Sequence, residues 1–337
     1  MYSEMYLMLT ELCPNRCQYC YIKNRDNPSS MTLDLIYDKI EQHKPTRVLF
    51  FGGEPLVRLD LIEQVMKKYY GKIKFQIVTS TSVNWEEFLE FNKHYPMNEV
   101  QVSWDGLNKN RINTQGKSIA DKVLANIYNS IGKLKFDIKT VISNDNVKQM
   151  VDLHNWFRDI QKHGVSGQFV LAHRTDYTED YYSTLAKVLP QTFVLVIVYI
   201  YHLSSIIAYL ARAKSDSRDG GKYMVIDPQG RETCCTALSQ EKDKEFTLDE
   251  LQADTVDPTC KQCKYWYMCD GGCRYERYKV FGDDWKYHHL ESTCRTVEIY
   301  NNSVKQFIDG LSTEQTEKLT NTILRYKKYL ASYYREI

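Results

Sequence analysis

Apolar and polar positions along the first half of the chain alternate between two periods. Short strand-like runs fall at Met5–Leu9, Arg47–Phe51, Lys74–Val78, Glu99–Ser103, Phe136–Ile142 and Gly167–Leu171. Longer stretches with helical spacing separate them, among them Leu59–Tyr70, Trp85–His94, Ala120–Ile131 and Val147–His163. Strand-then-helix repetition of this kind predicts parallel strands joined by right-handed crossovers. Lys74, Gln76, Asp137 and Lys139 interrupt otherwise apolar runs, so one strand face is expected to be wetter than the other. The pattern predicts an α/β fold, an open six-stranded (β/α)6 partial barrel over residues 1–175.

The pattern then changes. Phe193–Leu210 (FVLVIVYIYHLSSIIAYL) is the most apolar segment, at the lower end of a membrane-spanning length. His202, Ser204 and Ser205 interrupt it, which favours a segment buried in the protein over an interfacial or spanning one. Lys214–Lys222 has a linker composition. The expected division is a barrel at 1–175, an apolar connection and linker at 176–222, a cysteine-rich domain at 223–296 and a helical tail at 297–337. In that tail Ile323, Leu324, Tyr326, Tyr329, Leu330 and Tyr333 follow a helical period.

Composition narrows the class. Forty-four Lys and Arg balance 43 Asp and Glu, for a net charge of +1 in 337 residues. No general field draws a polyanion, so no nucleic-acid partner is expected. The amino terminus has no basic segment followed by a long apolar one, so no secretory signal is visible and a cytoplasmic location is expected. Ten cysteines without such a signal indicate metal or redox chemistry rather than disulfides.

Cys13, Cys17 and Cys20 follow the first predicted strand with C-x3-C-x2-C spacing. Three thiolates on one tight loop can hold three irons of a cubane [4Fe–4S] cluster, leaving the fourth iron open for a ligand. Zinc, the competing reading, wants a fourth ligand that is not evident nearby. This triplet, Tyr19 before its third cysteine, and Gly52-Gly53-Glu54-Pro55 after the second strand resemble the radical S-adenosylmethionine (SAM) enzymes. The resemblance covers Met5 to about Leu171. It implies that SAM chelates the open iron and that a reduced cluster splits it to a 5′-deoxyadenosyl radical, which takes a hydrogen atom from substrate. It also implies that Gly52, Gly53, Glu54 and Pro55 contact the SAM amino group, and that Tyr19 meets the adenine. Glu54 is either that ammonium's partner or a solvated loop acid. Ser103-Trp104-Asp105-Gly106 resembles the family element near the methionyl and ribose groups, with Arg111 the nearest candidate for the carboxylate. Thr79-Ser80-Thr81-Ser82 stands where the family usually has Asn-Gly, its hydroxyls either ligand-binding or structural.

Cys260, Cys263, Cys269, Cys273 and Cys294 resemble the SPASM extension, which binds one or two auxiliary [4Fe–4S] clusters. By that resemblance Cys260, Cys263, Cys269 and Cys294 complete an outer cluster, while Cys273 reaches to an inner one with Cys235. An expected upstream cysteine is missing, so Cys234 or Asp227 is the substitute, or the inner cluster is absent. Zinc with His288 and His289 is the competing reading for this region. Asp270 is either a base or a turn residue, and His173 and Arg174 follow the sixth strand.

The resemblance implies a peptide- or protein-modifying enzyme, of the kind that matures ribosomally made peptides. The alternatives are a radical enzyme acting on a small molecule or nucleotide, and a non-catalytic cluster scaffold or electron-transfer partner. No catalytic acid or base is identifiable. Because the chain starts at the first barrel strand, leader recognition is expected in the barrel mouth, the extension or a separate leader-binding partner. An electron donor such as a flavodoxin or ferredoxin is implied, and membrane contact is not expected.

Overall fold

The computed structural model describes residues 3–172, 176–193, 223–244, 246, 257–269 and 271–335. Strands and helices alternate as β1 (Glu4–Met8), α1 (Leu33–His43), β2 (Arg47–Phe51), α2 (Leu59–Tyr69), β3 (Lys74–Thr79) and α3 (Trp85–His94). They continue as β4 (Glu99–Ser103), α4 (Ala120–Ser130), β5 (Asp137–Ile142), α5 (Met150–Gln161) and β6 (Ser166–Leu171). All six expected strands form, within one residue at each end. Helix α1, which the periodicity did not single out, starts where the Thr32 hydroxyl accepts the Leu35 N–H at 3.2 Å. It stops at Lys44, which is left-handed.

From β6 to β1 the strands lie side by side in chain order, and the pairs from β1 to β5 are parallel. Every crossover therefore steps in the same direction, and the right-handed rule puts the helices on one face. That face is apolar: Leu7, Val48, Phe50, Ile77, Val102 and Ile138 are each at most 1% exposed. Directly paired residues share a face, so Glu4, Arg47 and Lys74 line the other side, as do Gln76 with Glu99 and Ser103 with Lys139. This is the open, wetter inner face anticipated from the interrupted runs.

The sheet is larger than six strands. β7 (Tyr223–Ile226) adds parallel to β1, and β8 (Glu232–Thr233) turns back antiparallel on it. Residues 223–233, expected with the cysteine-rich region, thus pair into the barrel sheet and cover its β1 edge.

The chain packs as two compact units. One comprises Met1–Val141, Asp159–Leu171 and Asp219–Ala253, and the other Ile142–Arg158, Ala172–Arg218 and Asp254–Ile337. The second unit contains α6 (Glu179–Val188), α7 (Arg274–Phe281), α8 (Glu291–Asp309) and α9 (Thr313–Arg335). Helix α8 is fastened to α6 by Arg295, which lies 3.8 Å over the Tyr182 ring and grips both carboxylate oxygens of Glu179. The helix expected in the tail is α9. Phe193, the first residue of the apolar segment, is buried against Phe307. The rest of that segment, the Lys214–Lys222 linker, His173, Arg174 and Asp270 lie outside the described residues. Among the described residues no helix is long and apolar enough to cross a membrane.

Candidate functional site

The first unit gathers its chemistry at the carboxyl ends of β1 to β4, where parallel barrels carry their sites. Cys13 and Cys17 are buried on the loop after β1, and Cys20 is half-buried. Arginines organise this loop. Arg16 donates to the carbonyls of Cys13 at 2.6 Å and Asn15 at 3.0 Å, and Arg25 donates to the Cys17 carbonyl at 3.1 Å. Burial pushes the Cys13 thiol up to about 12, with Glu54 adding to it. Burial likewise pushes Cys17 to about 11, although Arg111 works against it. Both are protonated thiols at neutral pH without a metal, so metal binding must displace their protons. A cysteine-only donor set on one loop suits iron–sulfur ligation.

The glycines after β2 face the chain itself. A Cβ on Gly52 (φ +144) would lie 2.4 Å from the Thr10 carbonyl oxygen, and one on Gly53 2.2 Å from that of Leu12. The Gly53 N–H donates to Thr10 O at 2.7 Å, and the Glu54 N–H donates to Leu12 O at 3.0 Å. Side-chain-free backbone is therefore needed to dock this turn on the cysteine loop.

Glu54 is 2% exposed, which excludes the solvated loop acid. Its Oε1 accepts the Thr79 hydroxyl at 2.6 Å and the Leu56 N–H at 3.3 Å, while Oε2 accepts the Ser80 N–H at 2.9 Å and hydroxyl at 2.5 Å. Four donors occupy the four acceptor sites of a carboxylate. Burial raises the Glu54 carboxyl and these bonds oppose the rise. Asn15 of the cysteine loop donates to the hydroxyls of Ser80 at 2.8 Å and Ser82 at 3.0 Å. The Thr79–Ser82 hydroxyls thus act structurally, tying β3 to both loops. Pro55 is buried and opens the single turn Pro55–Arg58.

Past β4, Asp105 is the hub. Arg111 donates to it at 2.8 and 3.4 Å, the Val141 N–H at 2.9 Å, and the Tyr19 hydroxyl bonds it as well. Arg111 also lies over the Tyr19 ring and points Nη1 at Cys17 Sγ, 3.8 Å away. Burial disfavours the guanidinium charge, but Asp105 holds it well above its ordinary value. Tyr19, Asp105 and Arg111 are brought together beside Cys17. Ser103, one strand residue before them, faces the inner side.

Cys234 and Cys235 follow β8 in the same unit. Burial raises the Tyr223 hydroxyl, with Cys235 and Cys234 adding to it, so both thiols lie near the stacked Tyr6–Tyr223 pair. Asp227 holds the β7–β8 turn, accepting from Arg231 Nε at 3.0 Å and from the N–H groups of Gln229 and Arg231.

The second unit carries the other cysteines. Burial pushes Cys294 up to about 12, with Cys269, Glu291, Cys260 and Cys263 each adding to it. Cys260 is raised by burial and then by Asp257, Cys269 and Cys263, while Arg277 opposes. Cys294 thus lies within electrostatic reach of Cys260, Cys263 and Cys269, and Cys260 within reach of Cys263 and Cys269. Cys273 is half-buried at the start of α7. The two histidines of the zinc reading are otherwise engaged: His289 pairs with Asp257 at 2.8 Å, and His288 stacks on Phe281. Among the described residues no three His, Cys, Asp or Glu side chains converge on one ion.

Comparison with known proteins gives the family. Residues 7–171 match the family model described as the Radical SAM superfamily, and this domain of the chain belongs to that superfamily. That family implies a [4Fe–4S] cluster and SAM. A GTP 3′,8-cyclase of Alkaliphilus oremlandii is 33% identical over 38% of this chain and 43% of its own length. A SAM-dependent nucleotide dehydratase of Flammeovirga pacifica is 26% identical over 45% of this chain and 57% of its own. The chain thus spans about half the length of the curated relatives it matches. In structure it resembles anSMEcpe with bound AdoMet, with a TM-score of 0.72, 18% identity and coverage of 91% and 98% of the two chains. It also resembles Streptococcus suis SuiB bound to S-adenosylmethionine, with a TM-score of 0.60, 16% identity and coverage of 87% and 77%. At such identities these likenesses speak for the fold.

Sequence reasoning missed Asn15, Arg16 and Arg25. Two arginines and an asparagine within and beside the cysteine triplet were the available signal.

Proposed function

We propose that this radical SAM enzyme modifies a peptide or protein, abstracting a hydrogen atom from one of its residues. The observation that carries the reading is the cysteine set of the second unit, where Cys260, Cys263 and Cys269 lie within electrostatic reach of Cys294. An auxiliary [4Fe–4S] cluster there would accept or relay the electron left when a product radical is oxidised. The fold likeness supports the same reading, since anSMEcpe is also known with a Cp18Cys peptide and SuiB with its precursor peptide SuiA.

Cys13, Cys17 and Cys20 would hold the [4Fe–4S] cluster, which would supply the electron for reductive SAM cleavage. The chain's own residues position. Glu54, Thr79, Ser80 and Asn15 fix the cysteine loop against β2 and β3. Asp105 holds Arg111 and Tyr19 beside Cys17, where the guanidinium would offset thiolate charge and could also draw the SAM carboxylate. Gly52, Gly53 and Pro55 shape the turn for the SAM amino group, which is left to backbone groups because the Glu54 oxygens are taken. A flavodoxin or ferredoxin in the cytoplasm would deliver the electron, and leader recognition would fall to the extension or a separate protein.

A nucleotide substrate is the second reading, favoured by the sequence relatives. Anaerobic reconstitution, SAM cleavage and mass spectrometry with candidate peptides and with GTP separate the two. A mass change in a peptide is the expected result. Conversion of GTP with every peptide unchanged would overturn the peptide reading.

A further inference from the structure

The inner face of the barrel sheet is chemically divided. On the β7–β1–β2 side Met8, Phe51 and Val225 form a buried apolar cluster against which Tyr6, Leu49 and Tyr223 pack. On the β4–β5 side the inward positions are Glu99, Gln101 and Ser103 of β4 and Asp137, Lys139 and Val141 of β5. The strand register sets Lys139 opposite Ser103, and the Lys139 carbonyl accepts the Trp104 N–H at 3.0 Å.

Charges near this face are otherwise answered. Arg47 pairs with Glu4 at 3.2 Å, and Arg111 with Asp105 at 2.8 Å. The Ser166 hydroxyl bonds Asp137, and Gln76 bonds Glu99. Among the described residues no carboxylate or hydrogen-bond acceptor meets the Lys139 ammonium, and Gln101 and Ser103 make no side-chain hydrogen bonds. Burial alone lowers Lys139 from the ordinary lysine range, with no acid to pull it back. Lys139 is half-buried, and a partly desolvated cation without a partner is costly to the fold. An anionic ligand removes that cost, because a charge-assisted hydrogen bond in a low-dielectric site is strong.

We propose that Lys139, flanked by Ser103 and Gln101, holds a single carboxylate of the substrate, the side chain of an acidic residue in a peptide. The proposal rests on the peptide-modifying reading and gives it a substrate class. The divided face suits a side chain with an apolar stem and an anionic head. One free ammonium matches one carboxylate. A nucleoside triphosphate brings several negative charges, and among the described residues this face offers them no second unpaired cation.

Competitive labelling tests this on the reconstituted holoenzyme without requiring turnover. Lys139 is pulse-acetylated with acetic anhydride and followed by mass spectrometry in the presence of Ac-Ala-Glu-Ala-NH2, Ac-Ala-Gln-Ala-NH2, GTP or SAM alone. The expected result is protection by the Glu peptide at a concentration ~10-fold or more below that needed for the Gln peptide, as for a hydrogen bond to a charged group. Lys139→Met, checked for native circular dichroism, should bind the two peptides equally in titration calorimetry, while Lys139→Arg keeps the preference. Equal protection by both peptides, or none, would overturn the proposal, as would a Lys139→Met variant that still prefers Glu. Protection by SAM alone would assign Lys139 to the cofactor, and stronger protection by GTP would assign it to a phosphate. If Lys139 behaves as expected but no peptide is ever modified, only the peptide-modifying reading fails.

Discussion

Replacing Gly53 by alanine tests whether the glycine pair serves the cysteine loop. The added Cβ would lie 2.2 Å from the Leu12 carbonyl oxygen and 2.4 Å from that of Glu11, where ordinary contact begins at 3.4 Å. Both obstacles are backbone, so no side chain can swing aside and the two segments must part by roughly 1 Å. Overpacking of this kind costs about 1–3 kcal/mol. Stretching the bonds from Gly53 N–H to Thr10 and from Glu54 N–H to Leu12 adds about 1 kcal/mol each. The sum, roughly 3–5 kcal/mol, is within the stability of an ordinary domain, so the chain should still fold. Leu12 precedes Cys13, however, and a shift of about 1 Å at a reacting centre costs on the order of 100-fold in rate. Gly53→Ala should be purified folded, with less iron at the Cys13, Cys17 and Cys20 site and SAM cleavage down by about that factor. Gly71→Ala is the control: its φ is +76 but nothing lies within 4 Å of the new Cβ. It should lose about 1 kcal/mol in denaturant titration and keep its iron and rate. Gly53→Ala with parental iron content and parental 5′-deoxyadenosine formation would refute the reasoning.

Alanine at Cys13, Cys17 or Cys20 should each abolish SAM cleavage, read as 5′-deoxyadenosine by chromatography, and one active variant would remove that residue from the ligand set. Glu54→Ala leaves the Thr79 and Ser80 donors unpaired inside the protein. It should cost about 2–4 kcal/mol in urea titration and loosen the cysteine loop, whereas weaker SAM binding at unchanged stability would make Glu54 a direct SAM ligand. Burial, with Arg158 second, lowers buried His154 from 6.5 to about 4. The unfolded chain therefore takes up a proton that the folded one resists, and stability present above pH 6.5 should fall as pH drops toward 4, by at most about 3 kcal/mol. His154→Phe should flatten that part of the pH–stability curve, and an unchanged slope would show that other groups cause it. A triple alanine variant at 13, 17 and 20 should keep at least one cubane's worth of iron and sulfide, and zinc without iron would refute an auxiliary cluster in the second unit.

Much of the barrel was legible because its signals are local. Arg47–Phe51, Glu99–Ser103 and Trp85–His94 form with the boundaries their apolar periods predict, since strands 2.0 and helices 3.6 residues in period bury different positions. The triplet Cys13, Cys17, Cys20 and the turn Gly52–Pro55 were readable for the same reason, each being a short stretch whose chemistry lies in its spacing. Helix α1 was missed, although a Thr32 cap followed by Ile36 and Ile40 four residues apart was the available signal.

Tertiary structure decided what depends on residues far apart in the chain. β7 is four residues long and gains its place only by pairing with β1, more than 200 residues earlier. Nothing within Tyr223–Ile226 announces that partner. Glu54 reads from sequence as a loop acid facing a ligand or water, but Thr79 and Ser80 arrive from another strand and take both its oxygens. Gly53 reads as room for a ligand, and the fold fills that room with the carbonyls of Glu11 and Leu12. Lys139 reads as one polar break in a strand, and only the register of β4 and β5 shows an ammonium on the inner face that nothing among the described residues answers. Sequence specifies which groups a segment carries and how they repeat. Which of those groups are already satisfied, and which remain open to a ligand, is fixed only when distant segments close around them.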